Sequence, residues 1–196
     1  LGGGISWYAL IRGSQRELMA NALENAESYS DLVRKSTRYS MLTFHREAIQ
    51  ETIEEIGSRK GVQGVRIFDR NGTIAYSSLE GEIGRQVAEN DPAHALCHDD
   101  ATPGAPMVRA TQWRILAGDT GRVLNFLQVI PNEPSCAASC HPPHERQKVL
   151  GIIQTEFSLA DLDSTIRSQT LHITVSSLLF MALSGGCHLD HSTLAH

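Results

Sequence analysis

The sequence predicts an α+β fold: a long N-terminal helix, an antiparallel sheet of about five strands, and a C-terminal helix entering the membrane. Three observations lead there. Residues Ser14–Ile56 contain no Pro or Gly and repeat apolar residues at helical spacing. Downstream of them, short apolar stretches alternate with turn residues, as strands and hairpins do. Finally, Ser168–Leu189 has no Lys, Arg, Asp or Glu. The organisation expected is the end of a first membrane helix over 1–13, a long helix over 14–60, a sheet domain over 61–160, and a C-terminal helix with a second membrane segment and tail over 161–196.

The elements follow in order. Leu1–Ile11 is uncharged and apolar enough for the outer end of a membrane helix, although about 20 residues are needed to span. Ser14–Ile56 reads as one long helix or two in series, with Leu42, Ile49, Ile53 and Ile56 on a stripe that faces the next domain or a second copy of the helix. Gly57 and Gly61 stop it. Gly64–Ser78 is a hairpin turning at Asn71-Gly72, with Val65 and Ile67 on one face and Ile74 and Tyr76 on another. Met107–Leu116 and Arg122–Ile130 form two more strands, joined through Gly118–Gly121. Val149–Phe157 is apolar almost throughout and is expected at the sheet centre. Asp161 starts the terminal helix, whose apolar heart is Ile173–Leu183. The alternative for that segment is a packed, amphipathic helix.

The composition excludes several classes of function. A net charge of −5 leaves no basic footprint, so no nucleic-acid partner is expected. No nucleophile–base pair, P-loop, dinucleotide fingerprint or H-E-x-x-H run occurs, so the chain is expected not to be an enzyme. Glu51, Glu54 and Glu55 read as a solvated helix face. Four cysteines are too few for a disulfide scaffold, yet Cys97, Cys140 and Cys187 each precede a histidine.

Chemistry concentrates in two long loops, Val87–Pro106 and Pro131–Gln147. The second holds Cys136-Ala-Ala-Ser-Cys140-His141, one residue longer than the C-x-x-C-H signature of c-type haem attachment. Two thiols so placed add to the two vinyl groups of one porphyrin, and the adjacent imidazole serves as proximal iron ligand. Competing readings are a tight Cys136–Cys140 disulfide, or a zinc site on His141 and His144 completed by His94, Cys97 or His98. The first loop holds His94-Ala-Leu-Cys97-His98, with histidine where the first cysteine would stand. It carries either a second haem on the single thiol Cys97, or an axial ligand, His94 or His98, for the haem at Cys136 and Cys140. Met107, His144 and His45 are further sixth-ligand candidates, and Cys187-His188 is incidental.

The GVRIFDRNGTIAYSS hairpin, the Asp91-Pro92 loop ending in Cys97-His98, and the run PNEPSC…CH…QKVLGII together resemble the periplasmic haem-c sensor region, PAS- or Cache-like, of bacterial two-component histidine kinases and chemoreceptors. The resemblance covers roughly residues 10–185. It implies an inner-membrane protein with its main domain in the periplasm, one haem c and room for a second, and loops that bear the haem. It also implies a homodimer or a larger membrane complex through the terminal helices, and a redox signal or small gas ligand. His94 departs from the family's pattern and puts the first haem in doubt. Three functions follow: a sensor module, an electron-transfer or accessory subunit of a membrane complex derived from such a sensor, or a domain of the same fold whose haem is lost and whose role is structural. For a full-length chain, the lack of a kinase or methyl-accepting region after Leu183 weighs toward the second.

Overall fold

The computed structural model describes residues 2–43, 45–87, 111–118, 121–134 and 149–190. Its elements are α1 (Gly2–Leu42), α2 (Arg46–Gly57), β1 (Val62–Asp69), β2 (Ile74–Ser77), β3 (Thr111–Gly118), β4 (Gly121–Pro131), β5 (Val149–Ser158) and α3 (Ala160–Asp190). They form two compact units, one of Leu1–Leu23 with Ala160–His196 and one of Glu24–Leu159.

The larger unit is built on an antiparallel sheet of order β2-β1-β5-β4-β3. β5 is central, as its largely apolar run predicts, and pairs with both β1 and β4. One face of the sheet meets the helices. In α1 the buried residues Ala26, Ser30, Val33 and Thr37 recur at helical spacing. Small polar members of that stripe satisfy themselves at close range: Thr37 donates to the Val33 carbonyl at 2.7 Å, and the Ser30 and Thr155 hydroxyls lie 3.2 Å apart. The expected stripe on α2 holds, for Ile49, Ile53 and Ile56 are buried against Val65, Ile67 and Ile153. Tyr29 and Phe157 extend this contact with ring centroids 5.7 Å apart.

The long helix is therefore two in series. The Thr43 hydroxyl sits 2.9 Å from His45 Nδ1, and His45 precedes α2 as its N-terminal cap residue without a side-chain cap bond.

The first hairpin differs from expectation in its turn. Asp69 accepts hydrogen bonds from the backbone N–H groups of Asn71, at 2.8 Å, and Thr73, at 2.9 Å, so a carboxylate organises the connection rather than a two-residue Asn-Gly turn. Gly72 takes a left-handed φ, 77°. A register shift between Ile67 and Phe68 then separates Ile74 from Tyr76. Tyr76 joins Val65 and Ile67, whereas Ile74 packs with Phe68, Leu127 and Ile152 on the other face.

That second face also carries a polar cluster. Arg66 grips Glu82 through two nitrogens, at 2.7 and 3.0 Å, and reaches Glu156 at 2.9 Å. Burial pushes the Glu82 carboxyl up, but hydrogen bonds from Arg66 and Ser77 more than offset it, leaving its pKa below the usual value. A carboxyl whose folded pKa is depressed contributes stability above its unfolded value, near 4.5, and loses it as pH falls through the lower folded value. Urea midpoints measured from pH 7 to pH 3 are therefore expected to drop on the acid side in the parent chain, and less steeply in Glu82→Gln. Equal slopes would remove this pair from the acid response.

In the smaller unit α1 and α3 pair, with Ser14 donating to the Gln169 amide oxygen at 2.8 Å. Ile11 of α1 and Ile166 and Ile173 of α3 line the same crevice. The expected passage of the C-terminal helix into the membrane is not supported. Although α3 has 31 residues, no helix among the described residues is long and apolar enough to cross a membrane. Its apolar heart is preceded and interrupted by Gln169, Thr170, His172, Thr174, Ser176 and Ser177, which dilute it over the required length.

Candidate functional site

The larger unit contains a cavity of about 380 Å³ between the helices and one end of the sheet. This falls within the range of roughly 300–1,000 Å³ typical of ligand and cofactor sites. Its sheet wall comes from the end of β1, the end of β4 and the start of β5, which antiparallel pairing brings to the same edge. Ile67, Phe68, Ile130, Leu150 and Ile153 make that wall apolar. The helix wall comes from Arg34, Thr37, Arg38 and Met41, which recur at three and four residues along α1, and from Arg46 and Ile49 of α2.

The charged groups of the cavity are mostly committed to one another. Glu133, just beyond β4, lies 2.5 Å from Arg38 and 3.9 Å from Arg34. Arg34 in turn holds Asp31 at 2.6 Å, and Lys35 reaches the other Asp31 oxygen at 2.6 Å. Hydrogen bonds from Lys35 and then Arg34 lower the Asp31 pKa. Asp69 also lines the cavity, with one carboxylate oxygen occupied by the turn described above. Among the described residues, Arg46 has no ion-pair partner.

Cys97, His98, His94, Cys136, Cys140 and His141 all lie outside the described residues, as do Met107 and His144. The points where their segments join the sheet are described. Residues 135–148 leave after Glu133 and Pro134 and return at Val149, which pairs with Pro131, while residues 88–110 return at Thr111, opposite Gln128. Pro131, Glu133, Leu150 and Gly151 all line the cavity. Described residues on both sides of the segment that carries Cys136, Cys140 and His141 in sequence thus line the cavity.

His45 sits on the exposed α1–α2 connection. Cys187 falls within the bounds of α3. Among the described residues no group of three His, Cys, Asp or Glu is placed to hold a metal ion. Sequence reasoning missed the arginines. The available signal was the row Arg34, Arg38 and Met41, one position to the side of the buried Ser30, Val33 and Thr37.

No protein-family model matches the chain, and no curated protein matches it. Among solved structures, the sensor domain of the V. cholerae histidine kinase DctB is similar, with 15% sequence identity and a TM-score of 0.46 over 79% of this chain. The chain spans 58% of the length of that sensor domain. A likeness at this level assigns no residue and no ligand.

Proposed function

We propose that the chain is a periplasmic sensor module of an inner-membrane protein and carries c-type haem covalently. Cys136 and Cys140 provide the thioether sulfurs and His141 the proximal nitrogen. The observation that supports this most directly is that residues flanking 135–148 in sequence, Glu133 on one side and Leu150 and Gly151 on the other, line an apolar cavity. The donor chemistry and the wall suit the same group: an apolar lining for a porphyrin and guanidinium groups for its carboxylates. A bound haem supplies a one-electron couple and an iron able to take a diatomic gas.

His94 and His98 are then candidates for the sixth position, and Cys97 for a second attachment. No catalysis is assigned to the chain. α3 exposes Leu171, Val175, Leu178 and Phe180, apolar surface that supports assembly of a homodimer through the terminal helices.

Sensor and electron-transfer roles differ at the sixth position. A sensor of gas ligands leaves it open or weakly held, whereas an electron carrier fills it. Carbon monoxide added to the dithionite-reduced holo-protein is expected to shift the Soret band at stoichiometric gas. A spectrum unmoved by excess carbon monoxide would contradict gas sensing and favour the electron-transfer reading.

A further inference from the structure

We infer that the outer edge of β3 is an interaction surface, and that its occupant is β3 of a second copy of the chain, paired antiparallel across a two-fold axis. The two edges of the sheet differ in how they are protected. β2 has four residues, and its outer side is already taken. Ile74 donates to the Arg85 carbonyl at 2.9 Å, its own carbonyl accepts from Gly84 at 2.8 Å, and Gln50 of α2 donates to the Ser77 carbonyl at 2.7 Å. β3 has eight residues and pairs with β4 without a register shift. Among the described residues its backbone hydrogen-bonds to β4 alone. Arg114 is its one charged residue, and it contains no Pro or Lys. An edge that is long, regular and uncovered in this way invites a further strand.

The pairing with β4 shows which groups are open. Gly118 and Gly121 are the closing pair, with two residues between them in sequence, so Gly118, Leu116, Arg114 and Gln112 exchange hydrogen bonds with β4. The N–H and C=O groups of Thr111, Trp113, Ile115 and Ala117 therefore point to the open side. Trp113, 48% exposed, is a large side chain standing at that edge. Because open groups must meet open groups, a two-fold axis falls on Trp113, Arg114 or Ile115. On Arg114 it sets two like charges directly opposite each other, which is destabilising. On Trp113 it pairs only residues 111–115. On Ile115 it pairs residues 112–118, with Ile115 opposite its own copy and Trp113 opposite Ala117 of the partner subunit. Arg114 then lies opposite Leu116 of the partner subunit, where its aliphatic stem packs and its charge meets no like charge. This match of length, volume and charge favours a second copy over an unrelated strand. The contact belongs to the larger unit and is separate from the one proposed for the terminal helices. It stands whether or not the chain carries haem, and a chain with two different two-fold contacts assembles beyond a dimer.

The test is amide hydrogen exchange on the full chain over a dilution series, beside the mass from sedimentation. The amides of Trp113, Ile115 and Ala117 are expected to lose protection as dilution lowers the mass, whereas those of Arg114 and Leu116 stay protected by β4 throughout. Two variants spare the sheet itself. Ala117→Pro removes only an outward N–H, and Trp113→Lys places a charge at an exposed edge position. Each is expected to lose the association step and the concentration-dependent protection, with an unchanged far-ultraviolet circular dichroism spectrum. Should Ala117→Pro fail to fold, Trp113→Lys decides. Open-side amides that exchange fast at every concentration would overturn the proposal. So would protection of those amides in a monomer, which would mean that another segment of the same chain covers the edge, and so would variants that associate as the parent does.

Discussion

Replacing Cys136 and Cys140 together by alanine is expected to abolish covalent haem while leaving the sheet and its helices folded. The thiols have no other assigned role, and the core of the larger unit, Val33, Ile49, Ile53, Val65, Ile67 and Ile153, is closed without them. The readout is haem peroxidase staining on a denaturing gel beside far-ultraviolet circular dichroism. The parent band should stain and the variant should not, with similar helix and strand content. Haem that stays bound to the double variant through denaturation would place the attachment elsewhere, with Cys97 the first residue to examine. His141→Ala is the companion: attachment persists, but the iron loses its proximal imidazole and the spectrum changes.

The second large effect is expected at Gly151. This residue is paired with Asp69 at the junction of β1 and β5, and a Cβ built there would run into the Phe68 carbonyl oxygen. The obstructing atom belongs to the backbone of the neighbouring strand, so no rotamer change relieves it. Gly151→Ala must therefore part the two strands at the cavity wall. The cost is on the order of 3 kcal/mol, the upper part of the usual range for overpacking. That corresponds to a fall of about 6–12 °C in Tm for a chain of this size. Gly13 is the matched control. It lies inside α1 with nothing within 4 Å of its added Cβ, so Gly13→Ala is expected to stabilise by about 0.5–1 kcal/mol. Equal Tm values for the two variants would contradict the packing described at Gly151.

Much of this architecture was legible in the residues themselves. Val149–Phe157 announced a central strand because it is apolar almost throughout, and it lies between β1 and β4. Ile49, Ile53 and Ile56 announced the buried side of α2 by spacing alone. Other features depend on partners that spacing does not reveal. The bulge that sends Ile74 and Tyr76 to opposite faces follows from how β2 pairs with β1, and the turn before it from a carboxylate that competes for the backbone donors. For the terminal helix the expectation found no support. Freedom from charge suggested a membrane span, but freedom from charge is a weaker requirement than sustained apolarity, and the serines and threonines of α3 separate the two.

The candidate site divides in the same way. The Cys-His spacing is a local signal and can be read directly, whereas the cavity is assembled from α1, α2, β1, β2, β4 and β5. Arg38 and Glu133 are remote in sequence and meet only through the fold. Neither residue belongs to a motif. Their positions at the foot of the cysteine-bearing segment are what connect the motif to the rest of the molecule.

Covalent haem on Cys136 and Cys140 is the property on which the proposed function turns. A pyridine haemochrome spectrum of the parent chain, taken after acid-acetone extraction and with the haem-to-chain ratio, tests it most directly. Haem is expected to remain with the protein at a ratio of about one, with a c-type α-band, or about two if Cys97 carries a second. Haem that extracts completely, or a chain that never acquires any when produced with the cytochrome c maturation machinery, would contradict it.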